Sequence, residues 1–234
     1  MKSKKKNQDF HYVSNYSRHG DINDYLGEII GPEFDEYREI WNKAHNLEIE
    51  TNFPTYLSLE TLMKCNYRCT MCTYSDPKEV KKIRYKEQLS DELYDKIIYE
   101  VNKHNCPSMG FNMLNEPLLD KKIIKRIKLA SDAGIIDSRM NTNASLLTEE
   151  KAEEIVDSGL TRLLVGLDAF TPDTYKKVRI GGDFDLVMRN VDNFLKIREK
   201  KGKKLPILRV SFVRLSINEM EIADFIDHWK NRAD

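Results

Sequence analysis

Tyr56-Leu57-Ser58-Leu59-Glu60-Thr61-Leu62-Met63-Lys64-Cys65-Asn66-Tyr67-Arg68-Cys69-Thr70-Met71-Cys72 is the stretch on which the fold turns. Tyr56 to Leu62 reads as a strand that begins just after the boundary at Pro54. The run from Cys65 to Cys72, spaced C-x3-C-x2-C, follows it directly. Three of the four cysteines in the chain lie in those eight residues. A secreted disulfide scaffold would use more cysteines at wider spacing. In a reducing compartment such clustering points to a metal or cluster site.

Outward from this stretch, strands and helices alternate. Ser90 can cap a helix with Leu93, Tyr94, Ile97, Ile98 and Val101 on its apolar face. Met109 to Leu114 reads as the second strand, followed by a helix carrying Leu119, Ile123, Ile127 and Ala130 and ending near Gly134. Ser138 to Asn141 is a short third strand. Thr148 caps a helix with Ala152, Ile155 and Val156 inward, stopped near Gly159. Arg162 to Leu167 is the fourth strand, and residues 184–200 form a helix with Phe184, Val187, Val191, Phe194 and Leu195 inward. Ile207 to Leu215 is the fifth strand. Asn218 and Glu221 read as a cap pair for a last helix with Ile222, Phe225, Ile226 and Trp229 inward. Upstream, Phe34, Tyr37, Trp41 and Ala44 recur at helical spacing over residues 33–46, and residues 1–20 are polar and expected to be mobile.

Five strand–helix units in a row imply parallel strands joined by right-handed crossovers, in an open sheet or a β/α barrel. In such barrels the chemistry sits at the carboxyl ends of the strands. The three cysteines follow the first strand and Asn115-Glu116 the second. Asn141-Thr142-Asn143 ends the third, and Asp168 ends the fourth. Four sets of polar groups therefore converge on one rim.

The composition excludes several alternatives. Of 234 residues, 40% are hydrophobic and 32% charged, which suits a soluble globular protein. Lys plus Arg and Asp plus Glu both number 38, so the net charge is zero and gives no global pull toward nucleic acid or anionic membrane. No apolar run reaches the roughly 20 residues of a membrane-spanning helix. The basic start, Met1 to Lys6, is followed by polar residues and has no secretory core, so the cytoplasm is the default compartment. The basic run Lys196 to Lys204 reads as a solvated helix end.

One loop of C-x3-C-x2-C can wrap three thiolates around a small inorganic centre. A four-iron cluster normally takes four cysteines. Three leave one iron open, as direct substrate binding requires. The competing reading is a zinc site with Cys106 or His104 as fourth ligand. Zinc sites more often pair two C-x2-C units, and there is no second unit here.

On these residues the chain resembles the radical S-adenosylmethionine (SAM) superfamily, whose signature is C-x3-C-x2-C after the first strand of a partial (β/α)6 barrel. Further motifs resemble the branch that often carries a C-terminal auxiliary-cluster (SPASM-type) domain. They are Asn115-Glu116-Pro117-Leu118-Leu119, Thr142-Asn143-Ala144 with Leu146-Leu147-Thr148, Gly166-Leu167-Asp168-Ala169, and Tyr175 through Arg179. The resemblance implies a core over residues 54–234 with residues 1–53 as an N-terminal extension. It implies a [4Fe-4S] cluster on Cys65, Cys69 and Cys72, and SAM held near Glu116, Asn115, Asn143, Asp168, Arg179 and Met71. It also implies an electron donor such as flavodoxin or ferredoxin. SAM is cleaved reductively to a 5′-deoxyadenosyl radical, which abstracts hydrogen from a peptide, sugar or other small molecule.

The chain departs from the family pattern at several positions, among them Ala144, where that pattern has glycine. Leu114 and Asn115 stand where glycines are usual; asparagine tolerates left-handed backbone. Gly166 replaces a usual serine, and Met71 a frequent aromatic, though methionine can still pack against adenine. Each site residue also has a plainer reading: Glu116 as a helix cap, Asn143 as a turn residue, Asp168 as a turn cap, Arg179 as a surface charge, Cys106 as a buried thiol. The family core has six units and five are counted here, so the barrel is expected to be truncated after the fifth, leaving that strand an exposed edge. The N-terminal helix around Trp41, or a partner chain, is the alternative cover. An inactive fragment of a larger protein is the corresponding reading of function, beside a zinc-stabilised binding module.

Overall fold

The computed structural model describes residues 17–78 and 88–234. Residues 1–16, most of the stretch expected to be mobile, lie outside the described residues. Five parallel strands form one sheet in sequence order: β1 (Tyr56–Ser58), β2 (Ser108–Gly110), β3 (Asp137–Thr142), β4 (Arg162–Gly166) and β5 (Ile207–Ser211). The helices are α1 (Ile22–Ile30), α2 (Pro32–His45), α3 (Asp91–Lys103), α4 (Ile123–Asp132), α5 (Glu149–Val156), α6 (Pro172–Val178), α7 (Phe184–Lys200) and α8 (Ile222–Trp229). The α/β partial barrel read from the sequence is the fold observed. Helices α1 and α6 were not expected; α1 is short and starts at the Asp21 cap, whose carboxylate accepts the Asn23 N–H.

Alternation along the strands sets the two faces of the sheet. Met109, Met140, Leu163, Val165 and Leu208 are fully buried and pack with Val101, Ile127, Ile155, Val191 and Phe194 of the crossover helices. Arg139, Leu164 and Arg209 alternate with them and line the opposite, concave face. Ser90, Thr148 and Asp183 cap α3, α5 and α7 through their side-chain oxygens. Leu93 and Ile226, expected inward, are 48% and 42% exposed.

Three strands end earlier than their apolar runs suggest, because side chains take over from backbone pairing. After Gly110, the Asn112 amide bonds both the Asn141 N–H and the Asn141 carbonyl, at 2.8 and 2.9 Å, replacing a rung of the ladder. The segment after β1 turns so that Glu60 can reach the 113–115 loop. Beyond Ser211 the Val213 N–H leaves the sheet for the Asp168 carboxylate at 2.7 Å.

The cap pair expected for α8 does not form. The Asn218 side chain instead accepts from Leu215 N–H and donates to the Asp168 and Val213 carbonyls. Glu221 accepts from the Phe170 and Thr171 N–H groups and the Thr171 hydroxyl. Both residues therefore brace the loop after β4. The outer edge of β5, expected to be bare, is engaged at Leu208. Its N–H donates to the Asp234 carboxylate and its carbonyl accepts the Asp234 N–H, at 2.8 and 2.9 Å. Arg198, read as part of a solvated basic run, is buried and paired to the same carboxylate. Helices α1 and α2 lie against the amino ends of the strands, where Leu26, Phe34 and Tyr37 pack on Ile207.

Candidate active site

The cysteine loop leaves β1 at its carboxyl end and is strapped to the segment after α6. The Arg68 N–H donates to the Ile180 carbonyl at 2.9 Å and the Thr70 N–H to the Val178 carbonyl at 3.0 Å. Within the loop, the Arg68 guanidinium donates to the Cys65 and Tyr67 carbonyls, and the Cys72 N–H to the Cys69 carbonyl. Cys69 is buried, while Cys65 and Cys72 are partly exposed. Burial pushes the Cys65 thiol up to about 11 and raises that of Cys69, which the Arg179 guanidinium opposes. Such thiols stay protonated at neutral pH until a metal displaces the proton.

Among the described residues no three Cys, His, Asp or Glu side chains converge on one point where a single ion could sit. A zinc ion needs that convergence. A four-iron cluster does not, because each cysteine binds a different iron. The residues named as a fourth zinc ligand lie elsewhere: Cys106 is buried with its thiol on the Pro54 and Ser108 carbonyls, and His104 stacks on Phe53. The donor set therefore suits a three-thiolate cluster loop.

Glu116 is buried in the loop after β2. It accepts from the Leu118 N–H at 3.1 Å, the Thr142 hydroxyl at 2.7 Å and the Asn143 N–H at 2.7 Å. The cap read from the sequence is present, and the same carboxylate ties the second rim loop to the third. Burial raises its pKa, and its three donors oppose the rise. Asn143 donates from its side chain to the Asn66 amide oxygen in the cysteine loop at 2.9 Å, and accepts from Ser145. Ala144, where the family pattern has glycine, holds a left-handed φ of 57°.

Asn115 is 7% exposed, and neither side-chain amide atom has a protein partner. Its backbone is not left-handed, contrary to the expectation for a glycine position. The loop is held instead by Glu60, whose carboxylate accepts the N–H groups of Met113, Leu114 and Asn115 at 3.0, 3.0 and 2.8 Å. Glu60 escaped the sequence reading because its partners lie more than fifty positions away and no local spacing marks it.

Arg179 is not a surface charge. Its guanidinium pairs with Asp168 at 2.5 Å and lies 3.6 Å from the Cys69 sulfur. Gly166 is what lets it in, because a Cβ there would overlap the guanidinium. The space of the usual serine is thus taken by arginine. Asp168, with φ 57°, is fully buried, and burial raises its pKa against the pull of Arg179. Met71, within the cysteine loop, is partly buried. The rim therefore brings together the cysteines, Asn115, Glu116, Asn143, Asp168 and Arg179.

A family model described as the radical SAM superfamily matches residues 59–226. The chain belongs to the radical SAM superfamily. That family of enzymes binds a [4Fe-4S] cluster and SAM. A GTP 3′,8-cyclase of Clostridium botulinum (strain Hall) is 32% identical over 177 residues, 74% of this chain and 51% of the relative. The GTP 3′,8-cyclase of Desulforamulus reducens is 29% identical over 171 residues, 73% of this chain and 50% of the relative. The chain spans about half the length of the curated relatives it matches. Streptococcus suis SuiB bound to S-adenosylmethionine superposes with a TM-score of 0.63 at 17% identity, covering 86% of this chain and 44% of that one. Native anSMEcpe with bound AdoMet gives 0.59 at 17% identity, over 76% and 49%. At those identities the likeness is one of fold.

Proposed function

We propose that this radical SAM chain holds its cluster on Cys65, Cys69 and Cys72 and its SAM against the rim formed by Asn115, Glu116, Asn143, Asp168, Arg179 and Met71. The observation that carries this is the strapped three-cysteine loop beside a buried asparagine amide with no protein partner. When bound, the cofactors supply reductive cleavage of SAM to a 5′-deoxyadenosyl radical that takes hydrogen from a peptide, sugar or other small molecule. The residues orient and shield. Arg68 fixes the cysteine loop, Glu116 locks the second and third rim loops together, and the Arg179–Asp168 pair sets the charge beside Cys69.

The reading assigns residues 54–234 to the core and 1–53 to an extension. It takes the Asn115–Leu119, Thr142–Ala144 and Gly166–Ala169 motifs as those of the SPASM-associated branch. The curated relatives favour a second substrate reading, a nucleotide, since they are GTP 3′,8-cyclases. An electron donor such as flavodoxin or ferredoxin is the proposed partner, and nucleic acid is not expected. The cytoplasm is the proposed location; among the described residues no helix is long and apolar enough to cross a membrane.

The test is anaerobic reconstitution, with iron and sulfide assayed and methionine measured after reduction with SAM present. The expected result is about four irons per chain and methionine release, both lost in Cys69→Ala and kept in Cys106→Ala. Stoichiometric zinc without iron would contradict the proposal.

A further inference from the structure

The short segment between β1 and Cys65 receives four successive backbone N–H groups from the loop after β2. Those of Met113 and Leu114 meet one oxygen of the Glu60 carboxylate at 3.0 Å each, and that of Asn115 meets the other oxygen at 2.8 Å. The Glu116 N–H follows, on the Lys64 carbonyl at 2.9 Å. Lys64 adjoins Cys65 in the chain, so the segment from Glu60 to Lys64 joins the cysteines to Asn115.

Residues 112–115 belong to no helix or strand, and Met113 and Leu114 are 68% and 44% exposed. Their side chains therefore contribute little packing to hold the loop. Successive N–H groups that face one way form a concave patch of partial positive charge, which an anion stabilises. Amide bonds to a carboxylate are stronger than those between neutral groups. The half-buried Glu60 anion is thus the main constraint on residues 113–115.

Asn115 is the residue that depends on this constraint. Its side-chain amide is buried, and no hydrogen bond of its own fixes where it points. An amide that meets a ligand binds best when it is aimed beforehand, because ordering it on binding costs affinity. Glutamine at position 60 would turn one carboxylate oxygen into an NH2 group. A donor would then face a donor, and at least one of the three amides would lose its acceptor.

We propose that Glu60 is a positioning residue for SAM: its carboxylate fixes the backbone of residues 113–115, and through that backbone it aims the Asn115 amide and registers it to the cysteines. The proposal rests on the radical SAM reading above. Two readouts test it. The first is hydrogen exchange on the purified chain without reconstitution. In Glu60→Gln the amides of Met113, Leu114 and Asn115 should exchange roughly tenfold faster. The Ser138 N–H, held by the Thr161 hydroxyl, should not change. The second is equilibrium dialysis of SAM against the anaerobically reconstituted chain, with iron assayed on the same sample. Glu60→Gln should keep its iron and bind SAM about tenfold more weakly. The double variant Glu60→Gln, Asn115→Ala should bind about as weakly as Asn115→Ala alone, since aiming an absent amide gains nothing. A general loosening of the fold would instead lower iron content and add to the Asn115→Ala loss. If thermal melts show that Glu60→Gln does not fold, Glu60→Asp carries the test. It keeps the charge but draws it back by one methylene, and should weaken SAM binding about threefold. Unchanged SAM affinity in the folded Glu60 variant, or an additive loss of about a hundredfold in the double variant, would overturn the proposal and leave the radical SAM reading standing. An unsubstituted chain that binds neither iron nor SAM would overturn that reading and this proposal with it.

Discussion

At the amino ends of the strands, Asp137 accepts from Tyr37, Thr161 and both sides of the Arg162 fork, and Asp234 pairs with Arg198 and Arg18. At the carboxyl ends, Asn115 is equally buried, yet its amide has no protein partner, and the buried Nε of partly exposed Arg179 also lacks one. A buried polar group left without a partner costs about 1–3 kcal/mol. The two amino-end carboxylates are therefore fully partnered, and their network holds α1 and α2 onto the sheet. The carboxyl end keeps hydrogen-bonding capacity in reserve, as a ligand site does. Glu116 shows that the rim can satisfy a buried group where structure demands it.

The largest effect that would break this contrast is at the amino end. Asp137→Asn leaves the Arg162 guanidinium without its counter-charge and should cost roughly 2–4 kcal/mol of stability in denaturant unfolding. SAM affinity should not change with it. A loss below about 1 kcal/mol would mean that the amino-end network is ornamental. A smaller effect sharpens the rim side. Ala144 sits at φ 57°, a conformation that costs an alanine of order 1 kcal/mol. Ala144→Gly should relieve it and raise stability by about 0.5 kcal/mol, part of the gain being offset by the freer unfolded chain. A shift of the urea midpoint to lower concentration would show that the rim backbone stores no strain there.

Periodicity located the five strand–helix units because each element buries one face, and the burial pattern is local in sequence. It placed residues 184–200 as a helix with matching ends. It overran β1, β2 and β5, since the residues that end them, Glu60, Asn112 and Asp168, act across tens of positions. Asn218 and Glu221 looked like a cap pair by spacing, yet they satisfy the loop after β4, which no local pattern announces. The cysteine loop was legible because its three ligands are adjacent in sequence. The Arg179–Asp168 pair and its dependence on Gly166 were not, because contact between β4 and the end of α6 is tertiary.

Whether the rim's unmet hydrogen-bonding capacity is held for SAM is decided by the variant Asn115→Ala. The measurement is equilibrium dialysis of SAM against the anaerobically reconstituted chain, with iron content and denaturant stability recorded on the same sample. Removing an amide that has no protein partner should leave iron content unchanged and stability within about 1 kcal/mol. It should weaken SAM binding about tenfold, the worth of one or two hydrogen bonds. Unchanged affinity, or a stability loss as large as that of Asp137→Asn, would contradict the claim.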